Sequence, residues 1–308
     1  LVYFFYFYNH YTFFIKGTSK KMAVLKKFVT VKNRKIAYLE EGKGDPIVLI
    51  HGNPTSSFLW RNIIPRLAAH GRVIAPDLIG HGDSEKLPVE DGPDRYSFDV
   101  NYQFLNELFL EIGIEENIIF ILHDWGSALG FHWAKNNAAA MRGIAYMEAI
   151  VCPLFWDDWP EDAVGIFKGF RSEKGEDLVL TRNLFVEGVL PSSILRELTP
   201  VEMNAYRAPF LEPFDRQPTL NWPRQIPIEG SPQNMVDVVT SYGKFMEMST
   251  IPKLFINADP GSILTGRPRE YCRTWPNQEE VTVRGLHFLQ EDSPDQICDA
   301  LTNWFSNL

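Results

Sequence analysis

Cysteine is scarce and scattered in this chain of 308 residues. The three that occur, Cys152, Cys272 and Cys298, are odd in number, far apart and outside CxxC spacing. Neither a disulfide framework nor a thiolate zinc site is expected, and the usage fits a reducing, cytoplasmic setting. Positive charge is also short. Lys and Arg total 30 against 39 Asp and Glu, giving a formal net charge of −9, and no basic cluster overrides that average. Such a surface repels phosphates, which argues against nucleic acid and anionic lipid as partners. Internal repeats are missing. What is present, 45% hydrophobic and 22% charged residues, is the composition of an ordinary globular protein. It argues against disordered, collagen-like and multi-span membrane chains, and the length suits one large α/β domain or two small ones.

The start of the chain differs from the rest. LVYFFYFYNHYTFF (1–14) is crowded with aromatics but lacks a basic n-region and a small-residue cleavage site. It is interrupted by Asn9 and His10 and is short for a bilayer span. The first methionine is Met22. Residues 1–21 are read as a leader of doubtful origin, with the natural start expected at Met22. A membrane-associating or signal-anchor segment is the alternative, and the fold argument sets these residues aside.

From residue 27 onward, short β-rich runs alternate with helical patterns. Phe28–Lys32 and Lys35–Leu39 read as a strand pair. Pro46–Ile50, Arg72–Ala75, Asn117–Leu122, Gly143–Met147, Lys253–Ile256 and Glu280–Val283 complete the set. Apolar runs without alternation suit strands buried on both faces, hence a mostly parallel sheet. Helices fit at about 57–69, 97–112, 126–138 and 292–307, so the pattern predicts an open α/β sheet. Residues 153–235 break the alternation. They carry helical patterns, eight prolines from Pro191 to Pro232 and no convincing strand, and are read as a helical cap inserted into a core made of 22–152 and 236–308.

In open α/β sheets, ligands bind beyond the carboxyl ends of the strands. The segments found there are His51-Gly52-Asn53-Pro54, Pro76-Asp77 with Gly80-His81-Gly82, His123-Asp124-Trp125-Gly126, Glu148, Asp259 and Gly285-Leu286-His287. The third has the strand–turn–helix layout of a nucleophile elbow, with Asp124 in the central place, Gly126 in the last glycine position and Leu122 where the first glycine would stand. The plain alternative is that Asp124 caps the helix. An aspartate nucleophile changes the chemistry. Its carboxylate is already ionised at neutral pH, and attack on an sp3 carbon gives an alkyl ester that water can hydrolyse at the carboxyl carbon. A serine would leave an inert ether, so Asp124 points to alkyl halides or epoxides.

The second step needs a base. Of the seven histidines, His10 lies in the leader, His51 and His81 belong to glycine loops, and His70 and His132 sit on helix surfaces or ends. His123 adjoins Asp124 and points to the other face of its strand. His287 remains, and the order nucleophile, acid, His is that of α/β-hydrolase triads. The orienting acid is Glu148 after the sixth strand or Asp259 after the seventh, and spacing does not decide between them. Trp125 and Asn53 offer side-chain N–H groups for a departing halide, and their backbone N–H groups suit the oxyanion of ester hydrolysis.

HGNPTSSFLWRNIIP (51–65), DLIGHGDS (77–84), HDWGSALGFHWA (123–134), YMEAI (146–150), KLFINADPG (253–261) and GLHFLQEDSPD (285–295) resemble segments of the haloalkane dehalogenases of the α/β-hydrolase superfamily. The resemblance runs from about Phe28 to the C-terminus. It implies the α/β-hydrolase fold, with Asp124 as nucleophile, His287 as base, and Asn53 with Trp125 as the halide-binding pair. The YMEAI-like subgroup uses the glutamate after the sixth strand, so it also implies Glu148 as the acid, with Asp259 the alternative. The implied substrates are a small halogenated alkane and water, with halide released and neither metal nor organic cofactor required. Phe155, Phe167, Phe185, Leu190 and Phe210 are expected to line the pocket. His81 departs from the methionine common at its position. Coelenterazine-oxidising luciferases of the Renilla type resemble the same subgroup and supply the alternative function, that of a cofactor-free monooxygenase. An Asp nucleophile also serves epoxide hydrolases, and the fold alone would suit a non-catalytic ligand sensor. Asn53 and Trp125 suit a halide better than an epoxide oxygen, and an intact constellation argues against a sensor.

Overall fold

The structure, a computed structural model, describes residues 26–308, so the expectations for the leader lie outside the described residues. Among the described residues eight strands form one sheet: β1 (Lys26–Val31), β2 (Arg34–Glu41), β3 (Pro46–Ile50), β4 (Arg72–Pro76), β5 (Ile118–Asp124), β6 (Met141–Ala149), β7 (Lys253–Pro260) and β8 (Gln278–Gly285). Their spatial order is β1-β2-β4-β3-β5-β6-β7-β8. β2 runs antiparallel to both of its neighbours, and every pairing from β4 through β8 is parallel.

Alternate residues of the central strands feed two cores. Val48, Ile50, Phe120, Leu122, Ile144 and Tyr146 enter one cluster, with Leu105, Phe109, Phe131 and Val239 from the helices Phe98–Glu111, Trp125–Asn136 and Gln233–Met248. Ile47, Leu49, Ile119, Ile121, Ala145 and Met147 enter the other, with Ile297, Leu301 and Trp304 from the helix Pro294–Phe305. This two-sided burial is why the strands read as continuous apolar runs rather than as alternating ones.

The helix expected over 57–69 is instead a 3-10 turn at Ser57–Trp60 and a short helix at Ile64–Leu67. Pro65 sits in the first turn of the latter, where its missing N–H is tolerated, whereas in the middle of a longer helix it would break the ladder. The helices Gln233–Met248 and Gly266–Arg273 were not anticipated. Between β6 and the helix Gln233–Met248 the chain carries helices and two isolated bridges. One bridge, Leu154 to Ile228, fastens the two ends of that excursion together. Among the described residues no helix is long and apolar enough to cross a membrane.

Candidate active site

Asp124 is the last residue of β5, the strand flanked by β3 and β6, and all seven residues of β5 are buried. The helix Trp125–Asn136 begins at the next residue. Such an abrupt change of direction forces Asp124 to φ 51°, ψ −130°, a conformation that costs a non-glycine residue roughly 1–3 kcal/mol. Ser127 supports the bend: its hydroxyl donates to the Asp124 carbonyl at 2.5 Å and accepts from the Ile150 N–H at 2.9 Å.

The elbow manages without its first glycine. A Cβ on Gly126 would lie 2.2 Å from the Ile50 carbonyl, so this position must stay bare. Leu122, where a glycine is usual, finds room because the helix carries Gly130 opposite it. A Cβ there would lie 2.4 Å from the Leu122 side chain. The glycine has in effect moved eight residues downstream, one helical turn past Gly126.

Three of the expected residues converge. His287, two residues beyond β8, places Nε2 3.4 Å from Asp124 Oδ2 and Nδ1 3.2 Å from Glu148 Oε2. The other Asp124 oxygen, Oδ1, accepts from the Asn53 backbone N–H at 2.7 Å, and the Trp125 backbone N–H also stabilises the carboxylate. Glu148 is buried, and its two oxygens accept from the Ser262 and Ile263 N–H groups at 3.2 and 2.8 Å. Its side chain is aimed by a local irregularity. In the β5–β6 register His123 faces Met147 but Asp124 faces Ala149, so Glu148 is the extra residue, at φ 40°. A bulge of this kind re-aims a side chain. Asp259 takes no part in this cluster: it lies inside β7, opposite Arg284, with its side chain exposed.

The electrostatics follow from this geometry. Burial alone would raise the Asp124 carboxyl, but the His287 hydrogen bond and charge outweigh it and hold the group below the ordinary carboxylate range. Burial would likewise depress His287, yet hydrogen bonds and charges from Asp124 and Glu148 carry it up to about 9. His287 is thereby held toward its protonated form between the Asp124 and Glu148 side chains. Burial pushes the Cys152, Cys272 and Cys298 thiols up, to about 11, 12 and 12, so none of them competes as a nucleophile. Among the described residues no group of three His, Cys, Asp or Glu side chains is placed to hold a metal ion.

Asp124, Asn53, Trp125 and His287 share one wall of a cavity of about 450 Å³. The Trp125 ring stacks on Trp222 at 4.6 Å, and among the described residues Asn53 Nδ2 reaches only the Thr219 carbonyl, at 3.4 Å. Of the five apolar residues expected in the pocket, Phe167 and Phe185 line it. Leu190 and Phe210 are buried in the second core instead, with Val186, Met203 and Tyr206. Phe155 is exposed, its ring under the Arg267 guanidinium at 5.0 Å. Trp159, Ile166, Ile226 and Phe288 also line the cavity. The first three, which belong to the insertion, carried no signal in the sequence, because its apolar residues read alike whether they face a core or a cavity.

The glycine loops brace this wall. His51 presents Nδ1 to the Gly52 carbonyl at 2.8 Å and accepts at Nε2 from the Leu78 N–H at 3.0 Å. Burial pushes its pKa down to about 4, so it remains a neutral strut between the loops after β3 and β4. His81 is packed between His51 and the edge of Phe210, whose ring centroid is 5.7 Å away.

Comparison with known proteins places this geometry in context. A family profile described as the alpha/beta hydrolase fold matches residues 45–294. A haloalkane dehalogenase of Sphingobium indicum is 53% identical over 284 residues, covering 92% of this chain and 96% of that one. A coelenterazine h 2-monooxygenase of Renilla reniformis is 38% identical over 284 residues, covering 90% and 87%. The crystal structure of the haloalkane dehalogenase DbeA from Bradyrhizobium elkani superposes with a TM-score of 0.87 at 37% identity, covering 92% of this chain and 97% of that one.

Proposed function

The chain belongs to the haloalkane dehalogenases of the α/β-hydrolase fold, which hydrolyse haloalkanes to alcohol and halide, and from that premise we propose that Asp124 is its nucleophile, His287 its base, Glu148 the orienting acid, and Asn53 with Trp125 the halide-binding pair. One observation carries this assignment. On the cavity wall, an ionised carboxylate has one oxygen tethered by a backbone N–H while the other faces an imidazole.

The reaction follows atom by atom. Asp124 Oδ2 attacks the halogen-bearing carbon as the carbon–halogen bond breaks, and the electron pair leaves with the halide. The Asn53 and Trp125 side-chain N–H groups receive the developing anion. The product is a neutral alkyl ester of Asp124. With the Asp124 charge gone, His287 releases its resting proton to solvent and then takes one from water; the hydroxide attacks the Asp124 carboxyl carbon, and the oxyanion grows on Oδ1, already in hydrogen bond with the Asn53 N–H. Collapse expels the alkoxide, which takes the proton held on His287 to become the alcohol, and the proton of the new carboxyl passes to His287, restoring the carboxylate and the resting imidazolium. The net change consumes one water and yields alcohol, halide and a proton. Glu148 stabilises and orients the imidazolium throughout. Residues 153–235 act as the cap over the strand ends, contributing Trp159, Ile166, Phe167, Phe185 and Ile226 to the cavity lining.

Halide release from 1-bromobutane, with one alcohol formed per halide, tests the activity. Within it, Trp125→Phe and Asn53→Ala are each expected to slow the halide burst by about 10²-fold, the scale on which a preorganised donor acts, and to slow ester hydrolysis less. Equal slowing of both steps in rapid-quench measurements would remove the halide-binding role. Glu148→Gln is expected to lower turnover by about 10³–10⁴-fold, as loss of an orienting carboxylate does. Asp259→Asn, at an exposed position, should stay within about threefold. The reverse ranking in the same assay would make Asp259 the acid.

A further inference from the structure

Asp124 and His287 account for the bond-making at the site, but not for how the segment carrying His287 is held in place. That segment is a short connection between β8 and the turn at Leu289–Asp292. On its outer side it is fastened to the insertion: the Phe288 N–H donates to the Ser193 carbonyl at 3.2 Å. Further on, Glu291 accepts both terminal nitrogens of Arg61, at 2.6 and 2.7 Å. On its inner side it meets His123, the residue before the nucleophile. His123 is fully buried. Its Nε2 lies 2.8 Å from the His287 backbone carbonyl. A carbonyl only accepts, so Nε2 carries the hydrogen. The two imidazole rings lie 4.7 Å apart, and the rings of Trp60 and Phe288 lie 6.5 and 5.5 Å from that of His123.

We infer that His123 is a positioning residue, holding the His287 backbone at the height that lets its ring span Asp124 and Glu148. The inference rests on the reading of His287 as the base. Because β5 presents successive side chains to opposite sides, one strand end supplies both the nucleophile and the strut of the base. A shift of the strand therefore moves both together. The strut keeps its form through the cycle. Burial, and after it the charge of His287, depress the His123 pKa to about 3, so the ring stays neutral beside a partner that gains and loses a proton.

The test uses the full chain and separates the two chemical steps. His123→Leu removes the donor, and His123→Gln keeps an N–H at similar reach. With 1-bromobutane, the leucine variant should slow ester hydrolysis by roughly 10–100-fold, the penalty for misplacing a catalytic group by about an ångström. Alkylation should slow far less, so alkyl-enzyme accumulates in the steady state, and the glutamine variant should recover most of the loss. Equal slowing of both steps, or identical behaviour of the two variants, overturns the inference. Nitrogen-15 NMR of the unaltered enzyme provides a readout independent of folding by the variants. It should show His123 as the neutral Nε2–H tautomer from pH 5 to 9, and a protonated or Nδ1–H ring overturns the inference as well. The underlying reading fails separately, if a His287→Phe enzyme collects no ester.

Discussion

Asp124→Ala should reduce halide release from 1-bromobutane to background, a loss of roughly 10⁴-fold or more, the scale seen when a nucleophile is deleted. The loss should be in turnover and not in folding. Asp124 stores backbone strain at φ 51°, and alanine at a left-handed position suffers similar strain, so the backbone cost changes little. Removing the carboxylate also removes a buried charge whose partner, His287, retains Glu148 at 3.2 Å. A soluble variant with an unaltered circular-dichroism spectrum and no activity is the expected result. The same carboxylate makes an isotopic prediction. In one turnover of the unaltered enzyme in heavy-oxygen water, the alcohol should leave with an oxygen taken from Asp124, while the label enters the side chain. Label passing directly to the alcohol, with the protein unlabelled, would mean that water attacks the substrate carbon and that Asp124 acts only as a base or an electrostatic partner.

The candidate nucleophile stood out in the sequence because three local signals coincide within about ten residues: an apolar run, an acidic residue at its end and a glycine-bearing helical pattern after it. Each is a property of the segment itself. The choice between Glu148 and Asp259 was not legible from spacing, because both follow apolar runs. What separates them is a one-residue irregularity in the pairing of β5 with β6, and pairing register belongs to two strands at once. The missing first glycine of the elbow has the same character. Leu122 conflicts with the expected pattern only until Gly130 is found beneath it, eight residues away in sequence and in contact across the strand–helix interface. Element type was carried by periodicity, but the single helix expected over 57–69 overlooked the effect of Pro65. The pocket lining was the least legible part. Phe167 and Phe210 are both buried aromatics of the insertion, yet one borders the cavity and the other fills the second core. That distinction depends on how the insertion folds back between its pinned ends at Leu154 and Ile228.

His287→Phe should split the reaction in two. Alkylation needs only an ionised Asp124, and with His287 gone the Asn53 and Trp125 backbone N–H groups still favour its carboxylate against the effect of burial. Halide should therefore be released once per enzyme molecule and then stop. Intact-protein mass spectrometry after 1-bromobutane should find one butyl group per chain, located on the peptide containing Asp124. The pH behaviour of the unaltered enzyme follows from the same groups. In the resting state His287 is held up to about 9, with Asp124 contributing both a hydrogen bond and a charge to that elevation. Esterification neutralises Asp124, so both contributions vanish while burial, which lowers the value, remains. The imidazole thus loses affinity for its proton at the step where it must accept one from water. Two consequences have opposite signs. Alkylation, driven by the ionised carboxylate, should be flat from about pH 6 to 8, and should fall only in acid as Asp124 protonates. Ester hydrolysis should fall as pH drops through the lowered His287 pKa of the ester state, which lies below the resting value of about 9, and alkyl-enzyme should accumulate at the acid end of the range. Quenching the steady state at a series of pH values and measuring the butylated fraction separates these steps. A butylated fraction that rises toward alkaline pH, or a His287→Phe enzyme that turns over freely without an adduct, would show that another group activates the water.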